Sequence, residues 1–216
     1  MKLENLHIII ADDHPLFRQA LQLALNQGFN HTHWYEAEST DALQILLGQK
    51  QDYDLVLLDL QMPGAHGYST LIHLRASYPE LPVVMISAYE DAQTISHALH
   101  HGCAGFIPKS ADMTTLTQAL EAILYGDIWY PPEITLLDVT DTPTADKLAE
   151  LTPQQYRVLQ MFAAGLLNKQ IAYELAVSEA TVKAHATAIF RKLGVRSRTQ
   201  AVIALQQLEL GNNTSQ

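Results

Sequence analysis

Three carboxylates, a hydroxyl and an ammonium stand at the ends of separate apolar runs, and together they have the chemistry to hold a metal ion and a phosphoryl group. Asp12-Asp13 follows Leu6-His7-Ile8-Ile9-Ile10-Ala11, and Asp59 follows Leu55-Val56-Leu57-Leu58. Ser87 closes the run from Pro82, and Lys109 lies just past Ile107. Like charges within a few ångströms repel strongly at low dielectric, so three converging acids call for a divalent cation. Oxygen-only ligands favour Mg²⁺, which takes one or two carboxylates and keeps several waters. A hydroxyl and an ammonium facing that site would register phosphoryl oxygens and neutralise them. The carboxylate nearest the metal can then act as nucleophile and become an aspartyl phosphate. Each residue alone has an ordinary explanation: a strand-end Asp or Ser often caps the next helix, and a lysine is often a solvated surface group. Their joint placement at the ends of four predicted strands favours one shared site.

The elements that must position these groups are legible in the apolar pattern. Strands are predicted at 6–11, 33–37, 54–59, Pro82–Ser87 and Ala104–Pro108, and helices at 15–27, 40–50, 67–77, 91–101 and 112–124. Parallel neighbours need a crossover of about a dozen residues, and the helical gaps supply it, so the pattern predicts a doubly wound α/β unit. Ligands of such sheets gather beyond the carboxyl ends of the strands, where the acids fall. Asp112 is the predicted N-cap of the last of these helices. From about 126 to 150 the periodicity fails around Pro131, Pro132 and Pro143, which reads as a linker with a helical turn near 132–137.

Beyond residue 150 the pattern is wholly helical. Thr152-Pro153-Gln154-Gln155 and Ser197-Arg198-Thr199-Gln200 read as capping boxes, and Asn168 and Ser178 as further N-caps, giving a small all-α unit of four short helices. Ile171 to Lys183 has the form of a helix, a tight turn at Val177-Ser178 and a second helix. On that second helix Val182, Ala186, Ile189 or Phe190, and Leu193 share one face, and Lys183, Ala184, Thr187 and Arg191 share the other. The small Ala184 and Thr187 between basic residues permit the close approach that a DNA groove requires.

Composition bounds the partners. At 216 residues the chain exceeds the usual single-domain size of roughly 100 to 150, so two domains are expected. The net charge of −10 argues by itself against nucleic acid, but its distribution does not. Residues 1–150 hold 6 basic and 20 acidic residues, a balance of −14, whereas 151–216 hold 7 and 3, a balance of +4. No run approaches the roughly 18 to 20 apolar residues of a membrane span and no secretory signal begins at Met1, so a cytoplasmic protein is expected. The single Cys103 reads as a core filler. His97 and His101 are spaced i,i+4, but no third ligand of defined spacing follows, so solvated histidines are expected there.

With those residues in view, Asp12-Asp13, Asp59-Leu60-Gln61-Met62-Pro63-Gly64, Ser87-Ala88 and Phe106 three before Lys109 resemble the receiver domain of two-component response regulators, over about residues 5–124. The resemblance implies a flavodoxin-like (βα)5 domain with parallel sheet order 2-1-3-4-5, in which Asp59 accepts a phosphoryl group from a sensor histidine kinase. It implies Mg²⁺ held by Asp13, Asp59 and the Gln61 main-chain carbonyl, with Asp12 assisting through water. Ser87 and Lys109 would hold phosphoryl oxygens, and Phe106 would turn inward as Ser87 moves. Leu151-Thr152-Pro153, Gly165, Asn168 to Ala172, Ser178, Thr181-Val182-Lys183, His185 and Arg191-Lys192-Leu193 resemble the LuxR-type helix-turn-helix domain of the NarL/FixJ group. That likeness implies Lys183, Ala184 and Thr187 at base edges, with Arg191 on the same face. It puts Lys169, Thr181, His185 and Lys192 near phosphates, and gives a last helix at 198–210 that pairs two domains. Ser110, Phe106 and Gln155 depart from the commoner Pro, Tyr and Glu of these families, and Thr187 stands where some members have lysine.

The expected organisation is a receiver at 1–126, a linker at 127–149 and a DNA-binding domain at 150–212. The expected function is a phosphorylation-controlled transcriptional regulator that dimerises on inverted half-sites of promoter DNA, with RNA polymerase a further candidate partner and no membrane. It is expected to be no enzyme beyond promoting its own phosphorylation and dephosphorylation. A phosphate-independent regulator with a vestigial receiver is the alternative. A metal-dependent phosphatase ranks last, because such an enzyme needs an acid two residues after its nucleophile and Gln61 stands there.

Overall fold

The computed structural model describes residues 5–26, 28–29, 31–49, 52–65, 68–139 and 147–210, with side chains to 206. Expectations that fall on residues 1–4, 27, 50, 67, 140–146 (with Pro143) and 211–212 lie outside the described residues.

The first half alternates β1 (His7–Ala11), α1 (Pro15–Leu25), β2 (His33–Ala37), α2 (Thr40–Leu47), β3 (Leu55–Asp59), α3 (Ser69–Ser77), β4 (Val83–Ser87), α4 (Ala92–His100), β5 (Gly105–Pro108) and α5 (Met113–Leu124). All strand pairs are parallel, in the order β2-β1-β3-β4-β5. Side chains of a strand alternate between faces, which sorts the apolar runs into two layers. Ile9, Ala11, Val56, Leu58, Val83, Met85 and Phe106 join a core shared with α2, α3 and α4. Ile8, Ile10, Leu55, Leu57, Val84, Ile86 and Ile107 pack against α1 and α5. Burial on both faces explains why these strands read as continuous apolar runs rather than alternating ones.

The second half holds α6 (Pro153–Ala163), α7 (Asn168–Glu174), α8 (Glu179–Leu193) and α9 (Arg198–Leu210). Thr152 and Gln155 form the predicted capping box of α6, and Asp112 and Ser178 cap α5 and α8 as predicted. Two caps differ from expectation. Asn168 is the first residue of α7 and Leu167 holds the N-cap position, with Gln170 Oε1 accepting from the Leu167 N–H at 2.7 Å. At α9 the Ser197 hydroxyl accepts from the Gln200 N–H, but Gln200 Oε1 reaches past Ser197 to the Arg196 N–H, so the second box is only half closed.

The segment after α5 is bound rather than free. Trp129 bridges to Gly105 on the outer edge of β5, and its carbonyl accepts from the Phe106 N–H at 2.8 Å. Further on, the Leu137 N–H donates to Ser96 Oγ on α4. The helical turn expected near 132–137 is a single turn closed by Ile134 N–H on the Pro131 carbonyl. Tyr156 and its neighbours on α6 join the same core cluster as α3, so the two halves pack against each other.

Candidate functional site

The carboxyl ends of β1, β3, β4 and β5 open into one cleft lined by Asp13, His14, Phe17, Asp59, Gln61, Met62, Pro63, Ser87, Tyr89 and Lys109. Asp59 is the last residue of β3 and Ser87 the last of β4, while Asp12 and Lys109 immediately follow β1 and β5. Register alone therefore converges residues that are up to 97 positions apart in the chain. Asp12, Asp59 and Ser87 are buried and Asp13 is exposed at the rim.

Lys109 organises the acids. Its ammonium donates to Asp59 Oδ2 at 3.0 Å and lies 2.7 Å from Asp12 Oδ2, above the Phe17 ring at 4.8 Å from its centroid. Burial works against the lysine's charge, but its hydrogen bonds with Asp12 and Asp59 outweigh that and raise its pKa. Burial also raises the Asp59 pKa, against the hydrogen bonds from Lys109 and the Gln61 N–H that favour the carboxylate. A buried carboxylate with an incompletely compensated charge suits a cation. Ligand oxygens of Asp12, Asp13 and Asp59, with a nitrogen of His14, lie within 4.8 Å of one another, so the donor set fits a hard divalent ion.

Ser87 Oγ accepts from the Tyr89 N–H at 3.1 Å at the edge of the same cleft. Phe106, expected to swing inward, is already fully buried in the core, three residues before Lys109. Its backbone N–H is held by the Trp129 carbonyl, while the Trp129 side chain packs on the opposite face of the sheet with the α1–α5 layer. Two neighbours escaped the sequence reading. His14 places Nδ1 at 3.1 Å from Asp12 Oδ1 and 2.8 Å from Asp13 Oδ1, a role that its adjacency to the acid pair could have suggested. Arg18 donates from Nη1 to the Asp12 carbonyl and pairs with Glu36, a contact across the sheet with no signature in the chain.

In the helical half, α8 turns Val182, Ile189 and Leu193 into the core, while Lys183, Ala184, Thr187 and Arg191 are exposed, as the periodicity predicts. Lys169 is exposed on α7, and Thr181 and His185 are half-buried near the start of α8. Lys192, expected near phosphates, is half-buried. Its ammonium donates to the Glu150 carbonyl at 2.7 Å and to Gln155 Oε1 at 2.8 Å, tying α8 to the start of α6. Gln155, with no charge, thus still supplies an acceptor to that lysine. His97 and His101 stack around Tyr68 with ring centroids 6.3 Å apart. Burial pushes the Cys103 thiol up to about 12, in keeping with a core role.

Family models match both halves: the response regulator receiver domain over residues 8–121 and the LuxR family of bacterial regulatory proteins over 149–205. The chain belongs to the response regulators. Among similar proteins, the glycerol metabolism activator of Pseudomonas putida is 41% identical over 211 residues, covering 94% of this chain and 96% of its own length. The nitrate/nitrite response regulator NarL of Escherichia coli strain K12 is 30% identical, covering 93% and 94%. A solved structure of two RcsB dimers bound to two parallel DNAs superposes with a TM-score of 0.57 at 27% identity, covering 98% of this chain and all of that one. This response regulator therefore joins a receiver of sheet order 2-1-3-4-5 to a LuxR-type helical domain, the architecture of a phosphorylation-controlled DNA-binding transcriptional regulator. No helix among the described residues is long and apolar enough to cross a membrane.

Proposed function

We propose that Asp59 accepts a phosphoryl group from a sensor histidine kinase and that its phosphorylation favours a dimer that binds inverted half-sites of promoter DNA through α8. The observation that supports this most directly is the single cleft in which Asp59 meets Asp12, Asp13, Ser87 and Lys109. Asp12, Asp13, Asp59 and the Gln61 main-chain carbonyl would hold Mg²⁺, which when bound offsets negative charge on the phosphoryl oxygens. As the Asp59 carboxylate forms its bond to phosphorus, the P–N bond to the kinase's phosphohistidine breaks and the imidazole leaves, and the Lys109 ammonium, already paired with Asp59, is placed to follow the charge onto the phosphoryl group. The Ser87 hydroxyl, one strand away, accepts from the Tyr89 N–H and keeps its own O–H to donate to a phosphoryl oxygen.

On the helical side, Lys183, Ala184, Thr187 and Arg191 form the exposed face that would enter a major groove, with Lys169, Thr181 and His185 near the backbone. Lys192 would lie near the backbone as well, while its ammonium also ties α8 to Glu150 and Gln155. Two-fold pairing is supported by the RcsB dimers seen on DNA, and two-fold symmetry carries over to the operator as inverted half-sites. The receiver would span 1–126 and the DNA-binding domain 150–212, in a cytoplasmic protein whose only phosphoryl chemistry is its own.

Acetyl phosphate with Mg²⁺ is expected to label the wild-type chain and leave Asp59→Asn unlabelled, as read by intact mass. In gel-shift titration the labelled protein should bind its operator more tightly. Equal affinities for labelled protein, unlabelled protein and Asp59→Asn would overturn the switch and favour the phosphate-independent regulator.

A further inference from the structure

The first helix of the DNA-binding domain reaches the loop after Asp59. Gln160, buried on α6, donates from Nε2 to the Gly64 carbonyl at 2.8 Å. Two further contacts hold that helix against the receiver. Tyr156 is fully buried, with its ring stacked on His73 at 4.3 Å and its hydroxyl within 2.8 Å of Ser69 Oγ and 3.3 Å of Thr70 Oγ1, all on α3. Arg157 Nε donates to Asp41 on α2 at 3.0 Å. The seam is polar, with Gln160, Tyr156, Ser69, Thr70 and His73 all buried along it. A polar interdomain contact resembles a transient interface, so relative motion of the two halves is expected.

The loop from Leu60 to Ala65 is pinned from two sides. Thr40 at the start of α2 donates its N–H to the Pro63 carbonyl at 3.1 Å, and Gln160 holds the next carbonyl, that of Gly64. Gly64 has a φ of +82°, and a Cβ there would lie 2.4 Å from Thr40 Oγ1, so the loop fits this clamp only with glycine. Met62, Pro63 and Ala65 of the same loop line the phosphoacceptor cleft. Meanwhile Lys183, Ala184, Thr187 and Arg191 remain exposed, so the docked receiver does not cover the DNA-reading face.

We propose that Gln160 is a positioning residue of the phosphoacceptor loop: it holds the loop in the arrangement where Lys109 pairs with Asp59 and Asp12, and so slows phosphoryl uptake until α6 leaves α3. This rests on the reading of Asp59 as phosphoacceptor. Placing a phosphoryl group on Asp59 disturbs the hydrogen bonds that its carboxylate accepts from the Lys109 ammonium and from the Gln61 N–H, the latter three residues from the clamped Gly64. A contact that favours one arrangement of the loop must by linkage be weakened when the other is favoured. Phosphorylation then acts by freeing the domain to pair with a second copy, not by unmasking α8.

The full-length protein is tested with acetyl phosphate and Mg²⁺, following Asp59 phosphate by intact mass. Gln160→Ala is expected to be labelled at least about fivefold faster than wild type, the lower end of ordinary coupling between sites. Gln160→Glu, of the same size but with an oxygen facing the Gly64 carbonyl, should also be faster. A purely structural role in the DNA-binding domain would lower the single half-site affinity instead, and that affinity should stay at the wild-type value. Labelling of both variants at or below the wild-type rate overturns the proposal while leaving Asp59 as phosphoacceptor. Failure of wild type and variants alike to take up phosphate overturns that reading and the proposal with it. Hydrogen exchange on the unsubstituted protein gives a check without mutation: phosphorylation should speed exchange in 69–77 and 153–163, and unchanged protection there overturns the latch.

Discussion

Lys109 carries more of the site than its single charge suggests. It stands between two buried carboxylates, and no other described Lys or Arg pairs with Asp59. Removing one partner of a buried ionic cluster leaves the rest uncompensated, which costs about 3–5 kcal/mol where no relaxation occurs. Lys109→Met is therefore expected to lower the urea midpoint strongly, and Mg²⁺ should recover more stability in this variant than in wild type. Equal Mg²⁺ stabilisation of the two proteins would show that the acids do not share the lysine and the metal. Gln61 and Tyr89 matter here for a plainer reason: both flank the cleft, one by its backbone and one by an exposed ring.

At the scale of elements, the edge of β5 anchors the segment that leads out of the receiver. Gly105 lies under the Trp129 carbonyl, and a Cβ there would approach that oxygen at 2.9 Å and Ile123 Cδ1 at 2.5 Å. Gly105→Ala must push Trp129 off the strand or shift α5, an overpacking that costs about 1–3 kcal/mol. The Phe106 N–H, which donates to Trp129, should then lose protection in hydrogen exchange while the amides of β1 and β3 keep theirs. Retained protection of Phe106 would mean that the Trp129 bridge contributes nothing. Phe106 packs in the α2–α4 layer and Trp129 against the α1–α5 layer, so it is the backbone bridge at the strand edge that links residue 106 to residue 129.

For the whole molecule, His73 ties the interdomain seam to pH. Burial alone lowers its pKa from 6.5 to about 4, with the Tyr156 ring against its face and Ser77 Oγ 3.4 Å from Nε2. The docked state thus holds the imidazole neutral, while a separated or unfolded state binds a proton near pH 6.5. Stability of the docked state is complete above that pH. It falls as pH drops from 6.5 towards 4, by up to about 1.4 kcal/mol per unit, and then levels off. His73→Phe keeps a ring for Tyr156 to stack on and should remove this part of the pH dependence, measured as the difference in denaturation midpoint between pH 7 and pH 5. The same pH difference in wild type and variant would show that His73 is not the titrating group.

Local pattern alone determined a good deal of this protein. The continuous apolar runs, the helical gaps between them and the acids at their ends were enough for the sheet, for the cleft and for Asp59 within it, because burial on both faces and the carboxyl-end rule of parallel sheets act through short stretches of chain. The periodicity of α8 likewise separated Lys183, Ala184, Thr187 and Arg191 from the packed face. Tertiary structure decided the rest. That Lys192 binds Glu150 and Gln155, that Arg18 supports Asp12, that the Trp129 carbonyl takes the Phe106 N–H and that Gln160 reaches Gly64 are pairings between groups on different elements. Such contacts depend on how elements pack, and neither composition nor period records which carbonyl a buried amide will meet.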